Sequence, residues 1–524
     1  MARMNDTRDD GRCKRFWNVH RQADALQRPS SRLMAVALVL LTAAGCAMPK
    51  GLRQDYMNFM TSVTQELQTR NALLDEAKAR ETPPNGDFEQ ELTLDQAVEV
   101  ALQNNPAILE ALKRVEASAA RVVIAASFED PELRIAANEV PIRRALDFNK
   151  ADSISFGLMQ RLPFFGKRKL RGETALAEAK RELEMYKQLE RDLIAEVKAA
   201  YHERFLTQRE LDILVEHVNL LSRFVAIAEI KYATGRVTQQ DVIKGQVERT
   251  NVQKDAISVE QQGQSVSAML NRLMNRPVRA ALAMPKEFPP AQFAYSDDEL
   301  EALALERRPE LKAAAQAVER SEKAKALAER DAKYPDFGLG WDFMQMPMKP
   351  EAWAGFFSFN LPWVNPRRKA EVQERTKELA ADQAAYLAVR NRVMFEVRDA
   401  ALKTRAAERK VALIQHDLLP RAEQNMEAAR VGYEKERVDF LTLIEAQRAW
   451  LEARLDYYKA LVEFEVSYAQ LEKAVGTGLP RDKGSLQRSD TGTRRQEDKE
   501  TAGESGRRAD RSPHLSPKTE RTVQ

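Results

Sequence analysis

Side chains able to do chemistry are few in this 524-residue chain, and they are scattered. Past the N-terminal region the histidines are His202, His217, His416 and His514, none at ligand spacing from another, and no glycine-rich phosphate loop precedes a helix. The run Phe343-Met344-Gln345-Met346-Pro347-Met348 sets three thioethers at alternate positions, a soft donor set suited to Cu(I). Methionines at the end of a strand serve more often as adaptable packing, and no metal site is assigned to them. No nucleophile stands beside a base, so the chain reads as a non-enzyme without a cofactor. The two cysteines, Cys13 and Cys46, precede the folded region, which excludes a disulfide staple, a zinc ribbon and a CxxC redox pair.

Covalent chemistry is then left to Cys46. Leu33 to Ala44 form an apolar run preceded by Arg32 and closed by Ala43-Ala44-Gly45-Cys46, the layout of a secretory signal with small residues before the cleavage point. The run is too short to span a bilayer. Ala-Ala-Gly-Cys resembles a bacterial lipobox, with Ala43 in place of the usual leucine, which implies that Cys46 becomes the lipidated first residue of the mature protein. Ala47 is not the aspartate that retains many such lipoproteins at the inner membrane, so sorting to the outer membrane is implied.

Whatever positions such an anchored chain must be extended and helical. Charged residues make up 31%, hydrophobic ones 44% and aromatics 7%, with long stretches of Ala, Glu, Lys, Arg and Leu, the composition of helical rods. A net charge of +3 gives no case for nucleic acid. Beyond the signal no apolar stretch is long enough for a transmembrane helix, so any membrane crossing must use strands.

A unit of two short helices, two strands and two longer helices occurs twice. Leu94, Ala97, Ala101 and Leu102 recur at helical spacing up to Asn104-Asn105-Pro106, and Asp298 to Leu311 repeats the pattern up to Arg307-Arg308-Pro309. Ala-rich helices follow at 107–128 and 310–333. Strands are predicted at 132–138, 152–162, 336–344 and 353–361. Both second strands end in Leu-Pro, at Leu162-Pro163 and Leu361-Pro362, followed by aromatics and a basic cluster. Long helical segments are predicted over 168–234 and 367–435, each roughly 100 Å at 1.5 Å per residue. In the first, Leu214, Val218, Leu221, Val225, Ala228 and Tyr232 form a heptad seam. Turns after Tyr232 and Tyr433 lead into returning helices over 238–275 and 439–475. The segment 46–89 reads as an extended linker, 90–290 and 291–476 as the two repeats, 1–45 as leader and signal, and 477–524 as a disordered tail.

Four strands in two separate hairpins leave edges that one chain cannot close. Three copies give a twelve-stranded barrel, wide enough for a conduit. The doubled helix ending in Pro106 or Pro309, the Leu-Pro strand ends and the paired tyrosine turns resemble the TolC-type outer-membrane efflux proteins over about residues 90–476. The resemblance implies a mainly α fold with a small membrane β part: a homotrimer with four strands per protomer in a twelve-stranded barrel, continued by an α-helical barrel across the periplasm. It implies a duct for small solutes, drugs or metal ions, lipid-anchored in the outer membrane. Implied partners are a periplasmic adaptor and an inner-membrane pump of the resistance-nodulation-division type. By position, Thr234, Gly235, Arg236 and Val237 with Lys435, Glu436, Arg437 and Val438 become adaptor-docking turns, and Asp241, Asp439 and Glu445 become acidic residues of the entrance. The second turn has Glu436 where the first has Gly235, so a tight glycine turn is not expected to repeat, and Thr442 replaces the acid expected opposite Asp241. Two other readings are a duct for type I protein secretion and a periplasmic coiled-coil scaffold.

Overall fold

The computed structural model describes residues 48–79, 92–138, 152–283, 293–346 and 350–480. It is mainly helical with one small sheet. After α1 (Lys50–Ala79) come α2 (Leu94–Asn104), α3 (Pro106–Ala126), β1 (Glu132–Asn138), β2 (Ser153–Leu162), α4 (Lys167–Ala233) and α5 (Gln239–Leu273). The same order then returns as α6 (Asp297–Arg307), α7 (Pro309–Lys333), β3 (Phe337–Gln345), β4 (Ala352–Phe359), α8 (Pro366–Leu413), α9 (Leu419–Glu434) and α10 (Phe440–Val475). The prolines that end α2 and α6 also begin the next helices. Asn105 caps α3, its side chain accepting from the Ala107 amide at 2.9 Å, while Pro106 fills a first-turn place whose N–H would have no partner.

Three expectations change. The segment expected to be extended holds the 30-residue α1. Leu52, Tyr56, Phe59 and Val63 recur in steps of four, three and four, and Leu52, Phe59 and Val63 are buried. Leu52 fills a notch left by Gly172, where a Cβ would lie 2.2 Å from its Cδ2.

The long helix of the second half is interrupted, whereas α4 runs unbroken for 67 residues. A π turn spans Ile414–Leu418, and Leu419 donates to the Ile414 carbonyl. Pro420 explains it: proline has no N–H, and its ring would strike the carbonyl four residues back in a regular helix, so the backbone widens there. No proline occurs in α4.

The two hairpins are not separate. They join through β2 and β3 into one antiparallel sheet of order β1-β2-β3-β4, so only β1 and β4 keep unpaired edges within the chain.

Two compact units divide the chain. The first draws on Met1–Gly86, Gln103–Glu190 and Pro309–Arg392, and so holds α1, α3, α7 and the sheet. In the sheet, directly paired residues share a face. One face carries Leu133, Ile135, Phe156, Leu339, Trp353 and Phe357, all exposed. The other carries the small buried residues Ser153, Ser155, Gly157, Gly338 and Gly340. An apolar face exposed, with no layer over it among the described residues, has the pattern of a membrane strand sheet.

The second unit draws on Asp87–Leu102, Arg191–Arg308 and Val393–Gln524. Its core joins Leu214, Leu221 and Phe224 of α4, Val242 and Val252 of α5, Met426 and Tyr433 of α9, and Phe440 and Leu443 of α10. The heptad seam read from α4 is buried at Leu214, Leu221, Val225 and Ala228 but leaves the core at Tyr232, which is exposed.

Candidate functional site

The two helical turns lie in the second unit and have one backbone design. After α4 the Gly235 amide donates to Tyr232 O at 2.9 Å and the Arg236 amide to Lys231 O at 2.9 Å. After α9 the Glu436 amide donates to Tyr433 O at 3.2 Å and the Arg437 amide to Gly432 O at 2.8 Å. Both are Schellman endings, which need one left-handed residue. Gly235 supplies it at φ 73 and Glu436 at φ 58. The tight turn therefore does repeat, contrary to expectation, with a glutamate held where glycine costs least, a strain of about 1 kcal/mol.

What Glu436 gains is a partner. Its carboxylate accepts from Arg236 Nη1 at 2.8 Å, tying the second turn to the first. A second tie runs from Lys231 Nζ to Tyr433 O at 2.7 Å, and the same ammonium sits 4.1 Å from the Tyr433 ring centroid. Tyr433 is buried against Phe440, unlike its counterpart Tyr232. Burial first, and then the charge of Asp241, push its phenol above the ordinary value.

The acidic candidates do local work. Asp241 closes a capping box with Thr238, whose amide reaches its carboxylate at 3.1 Å while the Asp241 amide donates to the Thr238 hydroxyl at 3.3 Å. At α10 the pair is exchanged: Asp439 is the cap and accepts from the Thr442 amide at 3.0 Å and from its hydroxyl. These bonds, the hydroxyl first, hold the exposed Asp439 carboxylate below its ordinary range. The threonine found at the place of a second acid is thus the reciprocal half of a cap. Glu445 lies on an exposed face of α10.

Among the turn residues, Val237 and Val438 are half-buried and the other six are exposed. Beside them the first turns of α5 and α10 leave a groove lined by Ile243, Val247, Leu441 and Ile444, with the Glu248–Arg448 pair at 2.6 Å on its rim. Gly245 brings the helices together, since a Cβ there would lie 2.9 Å from Val225 and 3.0 Å from Phe440. Lys231 and Gly245 were not singled out from the sequence, and Tyr433 was read only as the mark of a turn, not as a core residue. A basic residue in the last turn of α4 was the one available signal for Lys231.

Farther along α4, buried His217 places Nε2 at 3.0 Å from Gln447 Nε2 of α10, where the neutral ring accepts from the amide. Burial, and then the charge of Arg454, lower its pKa from 6.5 to about 4, against the opposing Glu248 and Glu216. Because the folded value lies below the unfolded one, this group costs nothing above pH 6.5, and its penalty grows as pH falls from 6.5 towards 4. The unfolding midpoint should therefore drop on acidification from about pH 7 to 4.5, and His217→Asn should flatten part of that drop. Equal slopes for the two proteins would show that His217 does not titrate on unfolding.

Cys46 and Met348 lie outside the described residues, as do the signal and residues 481–524. Met344 is the penultimate residue of β3, paired with Ser155 on one side and Ala352 on the other. Among the described residues no group of three or more His, Cys, Asp or Glu is set to hold a metal ion, and no helix is long and apolar enough to cross a membrane.

A family model for outer membrane efflux proteins matches residues 97–276 and 300–477. The cobalt-zinc-cadmium resistance protein CzcC of Cupriavidus metallidurans is 23% identical over 400 residues, covering 74% of this chain and 90% of that protein. A membrane protein from Pseudomonas aeruginosa shares the fold with a TM-score of 0.65 at 20% identity, over 73% of this chain and 93% of that one. The outer membrane protein VceC from Vibrio cholerae does so with a TM-score of 0.64 at 17% identity, over 74% and 97%. The two matched stretches mirror the doubled order of helices and strands and take in more than half the sequence, and the chain belongs to the outer membrane efflux protein family, whose members are channels rather than enzymes.

Proposed function

We propose that three copies of this chain close a twelve-stranded barrel in the outer membrane and form the exit duct of a tripartite efflux system. The observation that carries the trimer is the sheet: four strands with one apolar exposed face and two unpaired edges. In lipid those edges require partners, and the β4 edge of one copy can pair with the β1 edge of the next around a ring. Of closed rings, three copies leave a bore where two would fill it with side chains.

In this reading a periplasmic adaptor docks at the turns of Thr234–Val237 and Lys435–Val438, and Asp241, Asp439 and Glu445 face the entrance. An inner-membrane pump of the resistance-nodulation-division type supplies the cargo, small solutes such as drugs or metal ions. The name of CzcC, a relative along nearly its whole length, favours cobalt, zinc and cadmium within that range. The repeats 90–290 and 291–476 are the two halves of each protomer. Cys46 carries the lipid. In support, a Cβ added at Gly51 would lie 3.6 Å from Lys169 Nζ and Leu52 fills the Gly172 notch, so the chain just after the cysteine runs beside the start of α4, next to the end of β2.

Detergent extracts should yield a heat-labile trimer, and a monodisperse soluble monomer of the mature chain would end this reading. Cys46→Ser should remove the lipid and leave the trimer in the membrane fraction. Deleting the gene should lower tolerance to zinc, cobalt or cadmium. Unchanged tolerance with loss of a secreted protein would favour type I export instead.

A further inference from the structure

The four strands contain only four charged side chains, Glu132, Arg134, Arg161 and Asp342. All four lie on the face opposite the exposed apolar one. Arg134 pairs across to Gly157 and Gly157 to Asp342, so the three form one row, while Glu132 faces Met159 and Arg161 faces Gly338 on the same side. The charges are matched. Arg161 Nη2 lies 3.0 Å from Glu132 Oε1, with Glu129 at 4.0 Å as a second partner. Arg134 Nη2 donates to Asp342 Oδ2 at 2.5 Å.

The second pair is built into the sheet. Its members sit two strands apart, about 10 Å between backbones, and can meet only if the residue between them leaves the space free. Gly157 does so: a Cβ there would lie 1.8 Å from Asp342 Oδ1. In the next row Gly340 leaves room for the Phe356 ring, whose atoms would come within 2.2 Å of a Cβ, and Arg134 stacks 5.3 Å from that ring's centroid. The arginine is thereby laid flat against the wall by a carboxylate and an aromatic ring over glycines.

We propose that Arg134 and Asp342 determine the charge selectivity of the channel, their pairing keeping the wall of its β part electrically neutral so that cations and anions leave alike. The inference rests on the reading that three sheets close into a barrel with this face inward. A ring of like charges on a pore wall selects for the opposite ion. Breaking the pair at one member in a trimer creates such a ring.

The test uses the full-length trimer in planar bilayers of neutral lipid under a KCl gradient, with the reversal potential as readout. It is run in the parent and in a Glu436→Gln background, so that the periplasmic entrance does not mask the barrel. Asp342→Asn should raise the anion-to-cation permeability ratio by about threefold, and Arg134→Gln should lower it by about as much. The double variant and the exchanged variant Arg134→Asp/Asp342→Arg should return to the parent ratio. Single variants that conduct with the parent ratio would overturn the proposal, as would an exchanged variant with a displaced one. If a single variant yields no heat-labile trimer, the exchanged variant decides. A parent that conducts in neither background defeats the barrel reading itself, a different result from an unaltered ratio.

Discussion

Lys167→Met is expected to lower the stability of the first unit by about 3 kcal/mol, the largest loss from any single side chain described here. The Lys167 side chain is fully buried, and Nζ reaches Tyr334 O at 2.8 Å, Asp336 Oδ1 at 2.8 Å and Asp331 Oδ1 at 3.0 Å. Asp336 Oδ1 also accepts from the Phe164 amide at 3.1 Å, so one ammonium joins the chain leaving β2 to the chain entering β3. Methionine keeps the packing volume but leaves two carboxylates without their cation. Removing one partner of a buried pair costs about 3–5 kcal/mol, and the low end applies because the Asp336 side chain is 31% exposed. Chemical denaturation of the detergent-solubilised protein measures the loss. Adding Asp331→Asn and Asp336→Asn to Lys167→Met should recover part of it. A loss below about 1 kcal/mol would mean that the three groups are solvated as well unpaired as paired.

In the duct proposed above, where the tie between the two turns is taken to hold the periplasmic entrance closed, Glu436→Lys is expected to open it. The Arg236–Glu436 pair is exposed on both sides and is worth at most about 1 kcal/mol, but a lysine there also sets like charges against each other. Together these shift a closed-to-open balance by roughly 1.5 kcal/mol, or about tenfold. Cells producing the variant should become more sensitive, by about that factor, to a bulky antibiotic the outer membrane excludes, and its conductance in bilayers should rise. Glu436→Gly separates charge from strain: it relaxes the left-handed position yet loses the partner, and should open the channel nearly as well. Arg236→Glu/Glu436→Lys should close it again. If the glycine variant stays closed while the lysine variant opens, repulsion rather than loss of the tie is responsible.

Periodicity carried most of the fold. The strands alternate and the helices repeat apolar positions, and both signals are local, so all of these elements could be placed to within a residue or two. The interruption at Ile414–Leu418 was legible in principle from Pro420, which the apolar spacing of the surrounding helix concealed. In α1 the Leu52, Tyr56, Phe59 and Val63 spacing was hidden by a polar composition that resembled a linker. The site was less legible, because its ties join residues about two hundred positions apart. Tyr232 and Tyr433 hold equivalent places in the two repeats, yet one is exposed and the other buried under Lys231, and only packing distinguishes them. The exchange of Thr238 and Asp241 into Asp439 and Thr442 differs: its bonds join residues three apart, so a helix cap was legible there, but comparison of the two copies made it read as a lost acid.

The wide turn before Pro420 also bears on how a doubled chain tolerates unequal lengths. From Pro163 to Tyr232 the first copy is two residues shorter than the second is from Pro362 to Tyr433. In a regular helix each added residue rotates everything beyond it by about 100°, enough to turn Tyr433 out of its core. A π turn takes up one of the two with much less rotation than that. It acts as a phase corrector for that residue, and the other leaves the copies out of step at their ends, where Tyr433 joins Met426, Ala429 and Phe440 in the core while Tyr232 stays exposed.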